Sequence, residues 1–156
     1  MNEIPKPFLY LGLGGLLPFW ALGIGALYVQ TAEWAFVLLQ AQTVYAATII
    51  SFLGAVQWGL VLGDLHNGVA LDRRAVGMLA YSVVPSVLGW LIVVIVPLLG
   101  AWWMWPLLMI GMLASTYLAD IQARDAGFLP DWYLRLRKIL TLGAQGGLAF
   151  SLAATI

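Results

Sequence analysis

Residues 75–119 form the longest uncharged stretch of the chain and read AVGMLAYSVVPSVLGWLIVVIVPLLGAWWMWPLLMIGMLASTYLA. One helix crosses the roughly 30 Å hydrocarbon core of a bilayer with about 20 apolar residues, so this stretch is long enough for two crossings. Pro97, Gly100 and Pro106 interrupt it near its middle. The stretch therefore predicts two membrane-spanning helices joined by a tight turn.

The rest of the chain has the same character. Of its 156 residues, 63% are hydrophobic and 9% are charged, against about a quarter charged in an average soluble domain. Three further uncharged runs, 7–32, 34–63 and 139–156, accommodate one helix each. We predict an all-α integral membrane protein in which residues 1–156 form a single transmembrane domain of five helices. The predicted spans cover about 8–29, 41–63, 75–96, 102–120 and 139–156.

The basic residues predict an orientation. In the five-span arrangement they all lie on one side of the membrane, at Lys6, Arg73, Arg74, Arg124, Arg135, Arg137 and Lys138. Cytoplasmic loops carry an excess of Lys and Arg, so the N-terminus is predicted inside and the C-terminus outside. The expected location is the bacterial cytoplasmic (inner) membrane, or the mitochondrial inner membrane if the source is eukaryotic.

Several local features refine this topology. Pro18 predicts a kink in the first helix, and residues 30–40 are expected to form an outer turn. Trp102, Trp103 and Trp105 are expected at the outer interface, as in an aromatic belt. Residues 127–138 predict a short amphipathic interfacial turn that continues directly into the fifth helix.

Small residues recur every four positions along the second predicted span. They are Ala47, Ser51, Ala55, Gly59 and Gly63. Helices associate in lipid through such faces, because small side chains let two backbones approach closely. We interpret this stripe as a helix-packing face, used either inside the molecule or in self-association.

A small set of polar side chains near the inner ends of the spans could carry chemistry. The candidate polar or ligand site consists of Gln57, Trp58, Asp64, His66 and Asp120. The alternative is an interfacial layer of ion pairs, because groups at this depth can reach water or headgroups. Lipid headgroups or ion pairs are likewise the expected contacts of Arg73, Arg74, Arg124, Arg135, Arg137 and Lys138.

Other classes of chemistry find little support. Cysteine is absent, and an Asp-x-His pattern with one distant carboxylate is too sparse to predict a metal site. No catalytic motif is recognisable, so neither an enzymatic activity nor a cofactor is predicted. Nothing in the charge distribution indicates a nucleic-acid partner.

Three blocks of sequence resemble a known family. They are Ser51-Phe-Leu-Gly-Ala-Val-Gln-Trp-Gly59, Tyr81-Ser-Val-Val-Pro-Ser86 with Trp90, and residues 120–137 with Gly-Phe-Leu-Pro-Asp-Trp-Tyr-Leu-Arg-Leu-Arg. Together they resemble an uncharacterised bacterial membrane family, a domain of unknown function related to the mitochondrial transmembrane protein 69 group. The position of Gln57 is often His or Arg in that family, so this chain departs from it there. The resemblance implies membrane residence and no particular mechanism.

Three functions remain open on this evidence. The first is a small non-enzymatic accessory or assembly subunit of a larger membrane complex. Its expected partners are membrane lipid and either other membrane-protein subunits or further copies of itself. The second is a small transporter or channel, with a polar path near the cytoplasmic ends of the second and fourth spans. The third is a membrane enzyme or binder that acts on lipid or quinone.

Overall fold

The computed structural model describes residues 3–155, and all regular secondary structure within that range is helical. The helices are α1 (Lys6–Gly14), α2 (Leu17–Tyr28), α3 (Ala32–His66), α4 (Arg73–Leu98), α5 (Met104–Asp125) and α6 (Asp131–Ala153). The predicted all-α fold is therefore confirmed. Ile156, the last residue of the predicted fifth span, lies outside the described range.

Four helical stretches between residues 3 and 155 are long and apolar enough to cross a membrane. They are Lys6–Tyr28, Ala32–His66, Arg73–Leu98 and Met104–Asp125. α6 has 23 residues, but its first third carries Asp131, Arg135, Arg137 and Lys138, which lower its mean hydropathy. The fifth span and the orientation of the termini therefore stay predictions.

The first span is broken where a kink was expected. α1 ends at Gly14 and α2 begins at Leu17, so Pro18 lies in the first turn of a new helix. Proline suits this position because the amide groups of a first helical turn have no intrahelical acceptor. The break therefore comes just before the proline instead of within a continuous helix.

Two helices are longer than predicted. Residues 30–40, expected to be a turn, belong mostly to α3, which begins at Ala32 after Thr31 accepts a hydrogen bond from the Trp34 amide. At 1.5 Å per residue, the 35 residues of α3 measure about 52 Å and exceed the bilayer core. α5 likewise continues to Asp125. Asp64, His66, Asp120 and Arg124 are consequently helical, and the connections between spans are shorter than expected.

The helices cross most closely at glycines. A Cβ atom on Gly54 of α3 would collide with the Ser82 carbonyl of α4, and one on Gly23 of α2 would collide with the Gly147 carbonyl of α6. Such crossings let backbones approach where lipid provides no hydrophobic drive. The core between them consists of Phe19, Ala46, Ile50, Leu53, Met109, Leu113, Ala144 and Leu148.

The tryptophans that follow Gly100 have different environments. Trp103 is half exposed, but Trp105 is completely buried in a second core with Leu39 and Val96. Its indole N–H donates to the Ile92 carbonyl oxygen at 3.2 Å. A buried indole needs such a partner. The expectation that all three tryptophans lie at the interface is therefore wrong for Trp105.

Candidate functional site

A buried ion pair joins α5 to α6. The Arg137 Nε donates to Asp120 Oδ2 at 2.6 Å, and the two side chains are only 5% and 4% exposed. Arg137 Nη2 also donates to the Thr116 hydroxyl at 3.4 Å, and that hydroxyl donates to the Leu113 carbonyl at 2.9 Å. The guanidinium therefore links two turns of α5 to the start of α6.

This pair is electrically neutral as a unit. An isolated charge at such a depth costs several kcal/mol, and close pairing with further hydrogen bonds offsets that cost. Asp120 was grouped with Asp64 and His66 at the sequence level. Among the described residues, however, its only ion-pair partner is Arg137, which is 17 positions further along the chain.

Tyr133 lies one turn before Arg137, outside the four candidate spans. A tyrosine phenol has an ordinary pKa of about 10. The phenol consequently keeps its proton at physiological pH. It is a hydrogen-bond donor and not an anion.

A cavity of about 490 Å³ opens beside the ion pair. α1, α2, α3, α5 and α6 all contribute to its wall, which is almost entirely apolar. Its polar lining residues are Tyr133, Arg137 and Thr141, all from one face of α6. The volume falls within the range of small-molecule binding pockets, roughly 300 to 1,000 Å³.

A second recess of about 330 Å³ lies between α3, α4 and α5. Gln57, Arg74, Tyr81 and Gln122 give it a more polar lining. Gln57 is 5% exposed. Asp120 does not line this recess, because it faces α6 on the other side of α5. The two polar regions of the molecule are therefore separate.

The structure disperses the rest of the candidate polar site. His66 is exposed in the last turn of α3, Asp64 is partly exposed beside it, and Trp58 points outward with 47% exposure. Within residues 3–155, no hydrogen bond or ion pair joins Asp64 or His66 to Asp120. No group of three or more His, Cys, Asp or Glu in this range could hold a metal ion.

Two further polar side chains of α3, Tyr45 and Ser51, also have separate partners. The Tyr45 hydroxyl donates to the Gly15 carbonyl at 2.9 Å and thereby holds the break between α1 and α2. The Ser51 hydroxyl donates to the Ala47 carbonyl of its own helix at 2.9 Å. Neither residue lines the recess.

The candidate headgroup contacts have different environments. Arg124 pairs with Asp125 at 3.0 Å and with Asp131 at 3.4 Å. Arg73, Arg135 and Lys138 are exposed. These side chains and that of Arg74 lie at the surface of the molecule, whereas Arg137 is enclosed by the bundle.

Only the first part of the predicted helix-packing face packs against the rest of the described chain. Ala47 contacts α4, where a Cβ atom on Gly89 would lie 3.3 Å from the Ala47 Cβ. Ser51 is partly buried, whereas Ala55, Gly59 and Gly63 are exposed. A Cβ atom on Gly59 or Gly63 would meet nothing within 4 Å.

Gln42 is an important polar residue that the sequence analysis did not single out. Its amide nitrogen donates to the Phe19 and Gly147 carbonyls at 2.8 and 3.2 Å, and its amide oxygen accepts from the Ser151 hydroxyl at 2.6 Å. This buried side chain joins α2, α3 and α6. A polar residue in the middle of an apolar helix was the available signal, but the partners lie 23 and more than 100 positions away.

Together, these features define a polytopic α-helical membrane protein whose deepest charges and amides hold the helices to one another. The chain belongs to the family described as "Protein of unknown function (DUF3429)", whose model matches residues 4–154. The family resemblance found in the sequence is thereby confirmed.

Two curated relatives carry the name Transmembrane protein 69. The Xenopus tropicalis protein is 32% identical over 157 residues, an alignment that covers 97% of this chain and 56% of that protein. The Mus musculus protein is 42% identical over 62 residues, which is 40% of this chain and 24% of that protein. The alignments thus span about half the length of the Xenopus relative and about a quarter of the Mus musculus relative. No solved structure matches the chain.

Proposed function

We propose that this protein is a five-span membrane protein that acts, without catalysis, as an accessory or assembly subunit of a larger membrane complex. In this proposal α6 is the fifth span, the N-terminus lies on the cytoplasmic side, and the membrane is the bacterial cytoplasmic or mitochondrial inner membrane. The one-sided distribution of basic residues supports the orientation.

The exposed part of the α3 stripe carries the proposal. Glycine costs a helix about 1 kcal/mol relative to alanine, and that cost is offset when a glycine permits a close helix crossing. Gly54 has such a crossing within the chain, whereas Gly59 and Gly63 do not. Their smooth surface, continued by Ala55, fits a helix of another subunit or of a second copy.

The buried charges also support a structural role, because they bind each other. Asp120 and Arg137 neutralise each other inside the bundle. The side-chain hydrogen bonds that they make go to Thr116 and to each other. They are thus occupied in joining α5 to α6.

The test replaces Gly59 and Gly63 together with leucine. We expect the wild-type protein, extracted in mild detergent and examined by native mass spectrometry, to carry a stoichiometric protein partner. The amount of partner bound to the double variant should be lower than in the wild type by a factor of about ten or more. The leucine side chains occupy the surface against which a partner helix would pack.

Gly111→Leu is the matched control. Gly111 is also an exposed helical glycine with nothing within 4 Å of its missing Cβ, but it is the only glycine of α5, and the small residues that follow it at four-residue spacing, Ser115 and Ala119, are partly buried. The control variant should keep the partner. Recovery of only monomer and lipid from the wild type would contradict the proposal, and so would equal partner recovery in all three proteins.

A small transporter or channel is the second candidate, and the recess around Gln57 favours it. The recess lies near the inner ends of α3 and α5, where a polar path was predicted, and Arg74 and Gln122 enlarge its polar surface. Flux of ions or protons into proteoliposomes is the test. Gln57→Leu should abolish any such flux, and Asp64→Asn should reduce it. Unchanged flux in both variants would exclude this path.

A further inference from the structure

The cavity beside the ion pair has the length of one membrane leaflet. The residues of α6 that line it run from Tyr133 to Ala144, a separation of eleven residues. At 1.5 Å per residue this is about 16 Å, close to half of the roughly 30 Å hydrocarbon core. An apolar space of this length is suited to a hydrocarbon chain.

The hydroxyl of Thr141 provides a second, independent observation. Thr141 is 5% exposed and lines the cavity, yet its oxygen has no hydrogen-bond partner among residues 3–155. Other threonines donate to a carbonyl of their own helix, as Thr43, Thr48 and Thr116 do at 2.7 to 3.0 Å. A buried hydroxyl without a partner is costly, so a partner from outside the chain is expected.

Each polar group of this cavity can donate a hydrogen bond, and the guanidinium can only donate. Thr141 and the protonated Tyr133 present O–H groups, and Arg137 uses Nε and Nη2 for its hydrogen bonds with Asp120 and Thr116. Nη1 of Arg137 makes no hydrogen bond with any residue between 3 and 155. Because Asp120 already neutralises the guanidinium, the site has no net charge to attract an anion. It matches a neutral ligand oxygen that accepts hydrogen bonds.

We infer that this cavity binds a neutral, carbonyl-bearing lipid. Its apolar chain lies along α6 between α1 and α3, and its carbonyl oxygen accepts a hydrogen bond from the Thr141 hydroxyl. Two membrane components share this chemistry, the acyl ester of a phospholipid and the ring carbonyl of an isoprenoid quinone. This inference is independent of the proposed function, because the cavity and the exposed stripe of α3 involve different residues.

The test measures binding of three probes to the full chain, delipidated in detergent, by native mass spectrometry. The probes are a diester phosphatidylethanolamine, the diether phosphatidylethanolamine with the same chains and no carbonyl, and a short-chain ubiquinone. We expect either the diester lipid or the quinone to bind at least about threefold more tightly than the diether lipid. This is the ratio that one hydrogen bond provides.

Thr141→Val removes the hydroxyl and keeps the side-chain shape. It should weaken the preferred probe about three- to tenfold and leave binding of the diether lipid unchanged. A preference for the diester identifies the phospholipid as the source of the carbonyl, and a preference for the quinone identifies the quinone. Equal binding of all three probes, or a preference that survives Thr141→Val, would overturn the inference.

Val56→Trp tests the cavity itself, since Val56 lines it and a larger side chain fills it. The matched control is Val44→Trp, at an exposed position of the same helix. The first variant should lose at least about tenfold in binding, whereas the control should not change. If both variants bind the probes equally, the cavity is not the site. Should Val56→Trp fail to fold, the isosteric Thr141→Val variant still decides the question.

Discussion

Two carboxylates of α5, Asp120 and Asp125, lie little more than one helical turn apart and have opposite environments. Asp120 is buried and bonded to Arg137 at 2.6 Å, whereas Asp125 is exposed beside Arg124 at 3.0 Å. The nitrogen–oxygen distances of the two pairs are similar. Burial therefore decides how much each ion pair contributes to the free energy of unfolding. Removal from water raises both the cost of an unpaired charge and the strength of the pairing.

The largest effect is expected from Arg137→Leu. This change leaves the Asp120 carboxylate buried without its partner, which costs about 3 to 5 kcal/mol of stability. Reversible unfolding in mixed micelles, followed by circular dichroism, measures the loss. The double variant Asp120→Leu/Arg137→Leu should recover most of it, because two apolar side chains leave no unpaired charge. A double variant as unstable as the single one would refute this account of the pair.

A smaller effect is expected from Gln42→Leu, which removes a buried polar contact without a net charge. The substitution removes three hydrogen bonds, two to backbone carbonyls and one from Ser151. We expect a loss of about 1 to 3 kcal/mol in the same unfolding measurement. Ser151→Ala should cost less, since it removes only one of these bonds. If Gln42→Leu is as stable as the wild type, the amide does not hold α2 and α6 together.

The smallest effect is expected from the exposed pairs. Asp131→Ala removes a contact of 3.4 Å with Arg124, and the two side chains are 69% and 38% exposed. Such pairs contribute about 0 to 1 kcal/mol. Asp131→Ala should therefore change stability by less than about 1 kcal/mol, and this small change should decrease further as salt screens the pair. A loss comparable to that of Arg137→Leu would remove the distinction between buried and exposed pairs.

Much of the architecture followed from patterns along the chain. Long uncharged stretches predicted helices in the membrane, and Pro97, Gly100 and Pro106 marked the turn between α4 and α5. The amphipathic segment predicted before the fifth span forms the first turns of α6, from Asp131 onward. The helix ends were harder to predict, because polar residues at the ends of α3 and α5 extend these helices beyond the apolar region.

The candidate site was less predictable. Asp120 and Arg137 could each be recognised as charges near a membrane boundary, but their pairing depends on how α5 and α6 rotate against each other. Gln42 lacked any local signal for its partners on α2 and α6. The small-residue stripe of α3 was visible, but which of its residues meet α4 was not.

The sequence by itself determined that this is an all-helical membrane protein, because hydrophobic length and charge spacing act locally along the chain. The tertiary structure alone decided which polar groups meet, which glycines are crossed by another helix, and where the cavity opens. These features depend on helix rotation and crossing position, which are set by contacts between residues distant in the chain. The Thr141 hydroxyl is one example, because only the packed helices show that it has no hydrogen-bond partner in the described part of the chain.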